Sequence, residues 1–256
     1  MVRVNRVYQK VLALANKEQR GYITPQEFNL FADMAQMDIF EQYFYDLEQM
    51  QRRSGNQDDY IDLAENIEEK INNFQIHSFD MGVGAGGTVR LPTSDVDGGF
   101  YRIGTVRVSY VDVPGIRVAE EVKSKELTFF GDNAVIGNQA SASHKLFPHY
   151  QKITDIAGGS FIRVHPHPIG ENGDRVFVSY IRTPRRPNWT YIMVANQGSA
   201  LYNPSASDHQ DFEIHSSEEN KLVTKVLQYA GITIKDPQLV QAATAQETIK
   251  EQQQKQ

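Results

Sequence analysis

Apolar residues recur at three- and four-residue spacing in two successive runs at the start of the chain. Val4, Val7, Tyr8, Val11, Leu14 and Ala15 make one helical stripe. Leu30, Met34, Met37, Phe40, Phe44 and Leu47 make a second, predicted to turn inward, while Phe28, Phe31, Ile39, Tyr43 and Met50 add apolar surface on other sides. A helix of that composition has too much apolar surface for a single contact face. A third helix is predicted over 58–74, with Tyr60, Ala64, Ile67, Ile71 and Phe74 inward, after a turn at Ser54, Gly55 and Asn56.

The period then changes. β-branched and aromatic residues alternate over 101–113, 116–122, 161–164, 176–181 and 189–194, joined by stretches rich in Gly, Pro, Asn and Asp. Few helical crossovers separate them, so short antiparallel strands in a sandwich or barrel are expected. Residues 131–160 are less regular and predict a long excursion. A capping box over Ser216, Ser217, Glu218 and Glu219 opens a helix carrying Leu222, Val223, Val226, Leu227 and Ala230, with Gly231 at its C-cap. The end of the chain, from about Gln241, is polar all round and is expected to be protease-sensitive unless a partner covers it.

The expected class is α+β: N-terminal antiparallel helices, a central antiparallel β sandwich or barrel, and a C-terminal helix with an extended tail. The predicted divisions are a helical region 1–75, a β-rich domain 76–214, and a C-terminal helix and tail 215–256 that pack with the N-terminal helices.

Between the first two stripes, residues 16–27 read almost as a calcium loop, with Asn16, Glu18, Gly21, Ile23 and Glu27 in suitable places. The fifth position holds Arg20, a cation with donors only, where a ligand oxygen should face the ion. No second such loop follows. The alternative account fits more residues: Gly21 stops one helix, and Thr24, Pro25, Gln26 and Glu27 form a capping box with proline at the first helical position.

Composition narrows the chemistry. The 256 residues are 40% hydrophobic, enough for one large or two small cores, and the absence of cysteine removes disulfides, thiolate metal sites and thiol nucleophiles. A formal charge of −6 argues against a sequence-independent grip on nucleic acid. No run approaches the ~20 apolar residues of a membrane span, and no signal-peptide core is present, so a soluble, non-exported chain is expected.

Candidate chemistry is sparse. In the run His165, Pro166, His167, Pro168, the two imidazoles are expected to diverge along an extended strand, so no metal site is assigned. The glycine-rich stretch 82–87 lacks the Lys-Ser/Thr of a phosphate loop. No catalytic residues, cofactor or metal are expected. The segment from Arg182 to Trp189 holds Arg182, Arg185, Arg186, two prolines and the sole tryptophan, a composition that favours an interface but also suits a strand connection whose Trp packs on a sheet.

Residues 4–8 and 16–28 resemble the start of virion structural proteins of tailed phages, including marine and crAss-like phages. The pattern Ile162, Arg163, Val164, His165, Pro166, then 178–184 with Pro187 and Trp189, is similar to the β-domain of head-to-tail connectors. Residues 211–219 and 227–237 resemble the closing helix of that group. The resemblance implies a non-enzymatic adaptor or ring protein of the virion neck, made in the bacterial host cytoplasm. It implies a closed, dodecameric homo-oligomer between portal and tail proteins, with a channel that DNA traverses during ejection without specific binding and with no membrane partner. On this reading the off-stripe residues Phe31, Tyr43 and Met50, with Arg182, Arg185, Arg186 and Trp189, are interface candidates. Two other classes compete: a degenerate EF-hand calcium-binding protein with an appended β-domain, and a glycan-binding tail component displaying Tyr101, Tyr110 and Trp189 on one exposed platform.

Overall fold

The computed structural model describes residues 1–17, 23–52, 59–92, 99–123, 125–126, 144–154, 159–168, 170–193 and 200–233. The class is α+β. The chain divides into two compact units, one of residues 1–73 with 184–256 and one of residues 74–183. The β-rich part was expected to run to 214; the division at 183/184 instead gives 184–214 to the helical unit. The change of periodicity marks where strands begin, but not which core they join.

In the helical unit, α1 (Val4–Lys17) buries Val4, Val7, Tyr8, Val11 and Ala15, as its stripe predicts, while Leu14 is exposed. Helix α2 (Pro25–Arg52) opens on the expected capping box: Thr24 N–H donates to Glu27 Oε2 at 2.9 Å, and Glu27 N–H donates to Thr24 Oγ1 at 3.3 Å. Ile23 and Phe28, both buried, occupy the two positions of a hydrophobic staple around that cap. Helix α3 (Asp59–Asn72) buries Ile67 and Ile71. The side chains of Tyr60 and Ala64, and the turn at 54–56, lie outside the described residues.

Helix α4 (Glu219–Thr233) differs from its expected caps. The single turn before it, Ser216–Glu218, is capped by His215, whose Nδ1 accepts from Ser217 N–H, and Glu219 pairs with Arg6 at 2.9 Å. Gly231 lies within the helix, not past its end. Glu218 meets Lys70 of α3 at 2.6 Å, and the tail beyond 233 lies outside the described residues.

Residues 184–214 are fastened to these helices by an ordered set of polar bonds. Val2 and Phe212 form a β-bridge, and the fully buried Gln36 of α2 donates to Arg185 C=O at 2.7 Å and accepts from Glu213 N–H at 3.0 Å. The segment carries a two-stranded hairpin, β8 (Tyr191–Met193) with β9 (Ala200–Tyr202). Such a hairpin is marginal alone; here Tyr191 and Tyr202 each stack on Trp189 at 5.7 Å.

The second unit is one seven-stranded sheet. Its strands are β1 (Gln75–Met81), β2 (Thr88–Arg90), β3 (Phe100–Ser109), β4 (Ile116–Glu121), β5 (His149–Thr154), β6 (Ser160–His165) and β7 (Arg175–Arg182), in the order β1-β7-β3-β4-β5-β6-β2. Period-2 alternation places Val106, Val108, Val176, Val178, Ile162 and Val164 on one face. Met81 of β1 and Val89 of β2, from opposite edges, share that core, so the sheet curls on itself. Each such side chain contributes about 1.5–3 kcal/mol when fully buried.

The strands are not all antiparallel as expected: β4 and β5 pair in parallel, Glu120 with His149 and Glu121 with Tyr150. A parallel neighbour needs a long connection, and the irregular stretch after β4 supplies the length. Strand β5 falls inside the expected excursion 131–160 because only Tyr150 of its six residues is buried, leaving no alternation to read. Residues 131–143 and 155–158 lie outside the described residues.

Candidate functional site

The segment from Arg182 to Trp189 was the most interface-like in composition, and most of it is turned inward. Trp189 is 3% exposed, its Nε1 donates to Asn5 Oδ1 at 3.0 Å, and its ring lies 4.2 Å from that of Tyr8. Its backbone N–H donates to Asn29 Oδ1 at 2.8 Å. Of the two readings of this tryptophan, packing prevails. Arg185 N–H donates to Glu213 Oε2 at 2.8 Å, and Arg186 lies 3.7 Å from Asp33 with 71% of its side chain exposed. Arg182 belongs to the sheet unit, where its guanidinium sits over the Phe74 ring at 5.9 Å.

Helix α2 corrects the other candidates. Phe31 is 8% and Tyr43 4% exposed, whereas Leu30 and Met34, expected inward, are 59% and 43% exposed. The buried face runs through Phe28, Phe31, Ala32, Ala35, Ile39, Phe40, Tyr43 and Phe44. Two apolar stripes of similar strength lie about 100° per residue around the same helix, and composition alone does not say which faces the core. Tyr43 carries the consequence in its chemistry: its hydroxyl is buried without a hydrogen-bond partner, Lys70 Nζ lies 5.6 Å from its ring, and burial, then Glu218, raises its pKa far above the ordinary phenol value. Met50, near the end of α2, is half-buried.

The competing sites fare differently. Glu18, Arg20 and Gly21 of the calcium-like loop lie outside the described residues; Glu27, which would be the bidentate ligand, is held by Thr24 N–H at 2.9 Å and Thr24 Oγ1 at 2.8 Å. Those bonds lower its pKa. A single aromatic platform is not formed: Tyr110 is 2% and Trp189 3% exposed, against 37% for Tyr101. Tyr110 spends its hydroxyl on Pro166 C=O at 2.6 Å. The glycine-rich stretch ends in a tight turn, Ala85–Gly87, with φ of +67° at Gly86 and +69° at Gly87.

His165 and His167 do not diverge. Strand β6 ends at His165 and His167 lies just beyond it, and the rings lie 4.8 Å apart. The expectation of opposite faces holds for immediate neighbours, and these two have Pro166 between them. His149 stands directly opposite His165 in the β5–β6 register.

Among the described residues, the outward apolar side chains include Leu30, Met34 and Tyr45 of α2 with Ile192, Met193 and Leu201 of the hairpin in the first unit, and Phe79, Val111, Ile116, Val118 and Phe147 in the second. Among the described residues no helix is long and apolar enough to cross a membrane. No protein-family model matches the chain, and no curated protein matches its sequence.

Proposed function

We propose that the chain is a structural subunit of a tailed-phage virion, a non-enzymatic head-to-tail adaptor that closes into a homo-oligomeric ring between portal and tail. The motif resemblance at both ends and in the β-rich middle supports the reading, and one structural observation carries its assembly part. Helix α2 buries a wide apolar face and still presents Leu30 and Met34, one turn apart, at 59% and 43% exposure. A helix of a monomer rarely keeps two large apolar groups together in water. A ring subunit presents different faces to its two neighbours, and such a face suits a heterologous contact with the next copy. The net charge of −6 also suits a wall along which DNA passes unheld.

Mass photometry of the full chain, alone and with the portal of the same virus, tests the reading. The expected result is a closed oligomer, alone or on the portal, that falls to folded monomers when Leu30→Asp and Met34→Asp are combined. A chain that stays monomeric in both conditions refutes the adaptor role, and a double variant that assembles like the parent removes this face from the contact.

A further inference from the structure

Helix α2 and the sheet each keep one partly apolar face outward, and the two faces carry opposite charge. Along α2, Glu27, Leu30, Met34, Glu41, Tyr45 and Glu48 are all exposed. At about 100° per residue they fall within roughly 60° of arc, a strip about 30 Å long. The helix carries six carboxylates against one base, Arg52, at its last position. On the sheet, two rows of directly paired residues cross neighbouring strands. One runs Asp80, Phe177, Arg107, Val118 through β1, β7, β3 and β4, and the other runs Arg175, Ser109, Ile116 through β7, β3 and β4. They alternate along their strands with the buried Met81, Val106, Val108, Ala119, Val176 and Val178, so they share the outward face. Ile116 and Val118 are 53% and 61% exposed there. Arg107 stands between Phe177 and Val118, Asp80 is paired with Arg175 at 3.4 Å, and Glu120 lies further along β4.

We propose that these faces are the two halves of one contact between copies of this chain, with α2 of one subunit lying along the outer sheet face of the next. Leu30, Met34 and Tyr45 then cover Ile116, Val118 and Phe177, while the α2 carboxylates meet Arg107 and Arg175. The dimensions agree. Strands β7, β3 and β4 span about 10 Å at a spacing of about 4.8 Å, and one helix is about 10–12 Å wide. Charge selects the occupant. Two α2 strips facing each other would set carboxylate against carboxylate, whereas the sheet face brings guanidinium groups, whose planar donor fork matches a carboxylate. Because the two halves differ, the contact is heterologous: each subunit gives its helix to one neighbour and its sheet to the other, the arrangement from which a ring closes. The contact rests on the ring reading and adds the surface that receives α2.

Sedimentation velocity on two full-length variants tests the contact at a micromolar concentration where the parent assembles. One variant combines Leu30→Asp with Met34→Asp and blocks the helix; the other combines Ile116→Asp with Val118→Asp and blocks the sheet. Each alone is expected to be a folded monomer by circular dichroism, and their mixture is expected to form a 1:1 pair, since one copy keeps its sheet and the other its helix. The pair should weaken as salt screens the carboxylate–guanidinium contacts. A sheet variant that assembles like the parent, or a mixture that stays monomeric while the parent assembles, overturns this contact and leaves the ring reading standing. A parent that is monomeric, alone and with the portal, ends both. If the sheet variant fails to fold, Arg107→Glu with Arg175→Glu takes its place, with the same outcomes.

Discussion

Asn29 is the polar peg between α2 and the chain around Trp189, and replacing it with leucine isolates what that peg contributes. Its Nδ2 donates to Asn188 Oδ1 at 2.8 Å and to Trp189 C=O at 3.2 Å, and its Oδ1 accepts from Trp189 N–H at 2.8 Å. Leucine keeps the shape and removes all three bonds. The Trp189 N–H, in a residue 3% exposed, then has lost its partner. A stranded buried donor costs about 1–3 kcal/mol, and each lost neutral bond about 0.5–1.5 kcal/mol. Leucine returns roughly 0.5 kcal/mol in helix propensity, and partial exposure of Asn29 softens the bonds to Asn188. The expected loss is about 2–4 kcal/mol. Trp189, the only tryptophan, reports on this unit alone, so urea unfolding followed by its fluorescence is the assay. With a slope of about 1–3 kcal/mol per molar urea, the midpoint should fall by about 1 M or more. A midpoint unchanged within about 0.2 M would show that solvent or another group replaces Asn29 at no cost, and would refute the reasoning.

Three further outcomes are expected. Glu27→Ala should cost on the order of 1 kcal/mol through the capping box, with the same loss in calcium and in chelator by thermal melts. Because the folded-state pKa of Glu27 is lowered, its contribution is present above the ordinary value of 4.5 and lost as pH falls through the lowered one, so parent and variant melts should converge in acid. Gly87→Ala should destabilise the sheet unit well beyond Gly86→Ala: both have positive φ, but only at Gly87 would the Cβ meet Val164 C=O at 2.9 Å and Pro168 Cδ at 3.0 Å, and equal melts would contradict this. Tyr43→Phe should be neutral or stabilising by up to about 1 kcal/mol, since it removes a buried hydroxyl without a partner, whereas Tyr43→Asp should unfold the helical unit by circular dichroism.

Local patterns settled much of this protein. The stripe of α1, the capping box at Thr24 and Glu27, the start of α2 at Pro25 and the alternation in β3, β6 and β7 depend on contacts within a few residues, and each is legible in the residues concerned. Tertiary structure decided the rest. Which of two apolar stripes on α2 faces inward depends on what packs there, and the segment carrying Trp189 joins the helices because Asn5, Tyr8 and Asn29 receive it. Strand β5 and its parallel pairing with β4 were invisible locally because a strand that buries one residue of six has no period, and its partner lies beyond a long connection. The approach of His165 and His167 was not legible locally, because β6 ends at His165 and the strand period does not extend to His167.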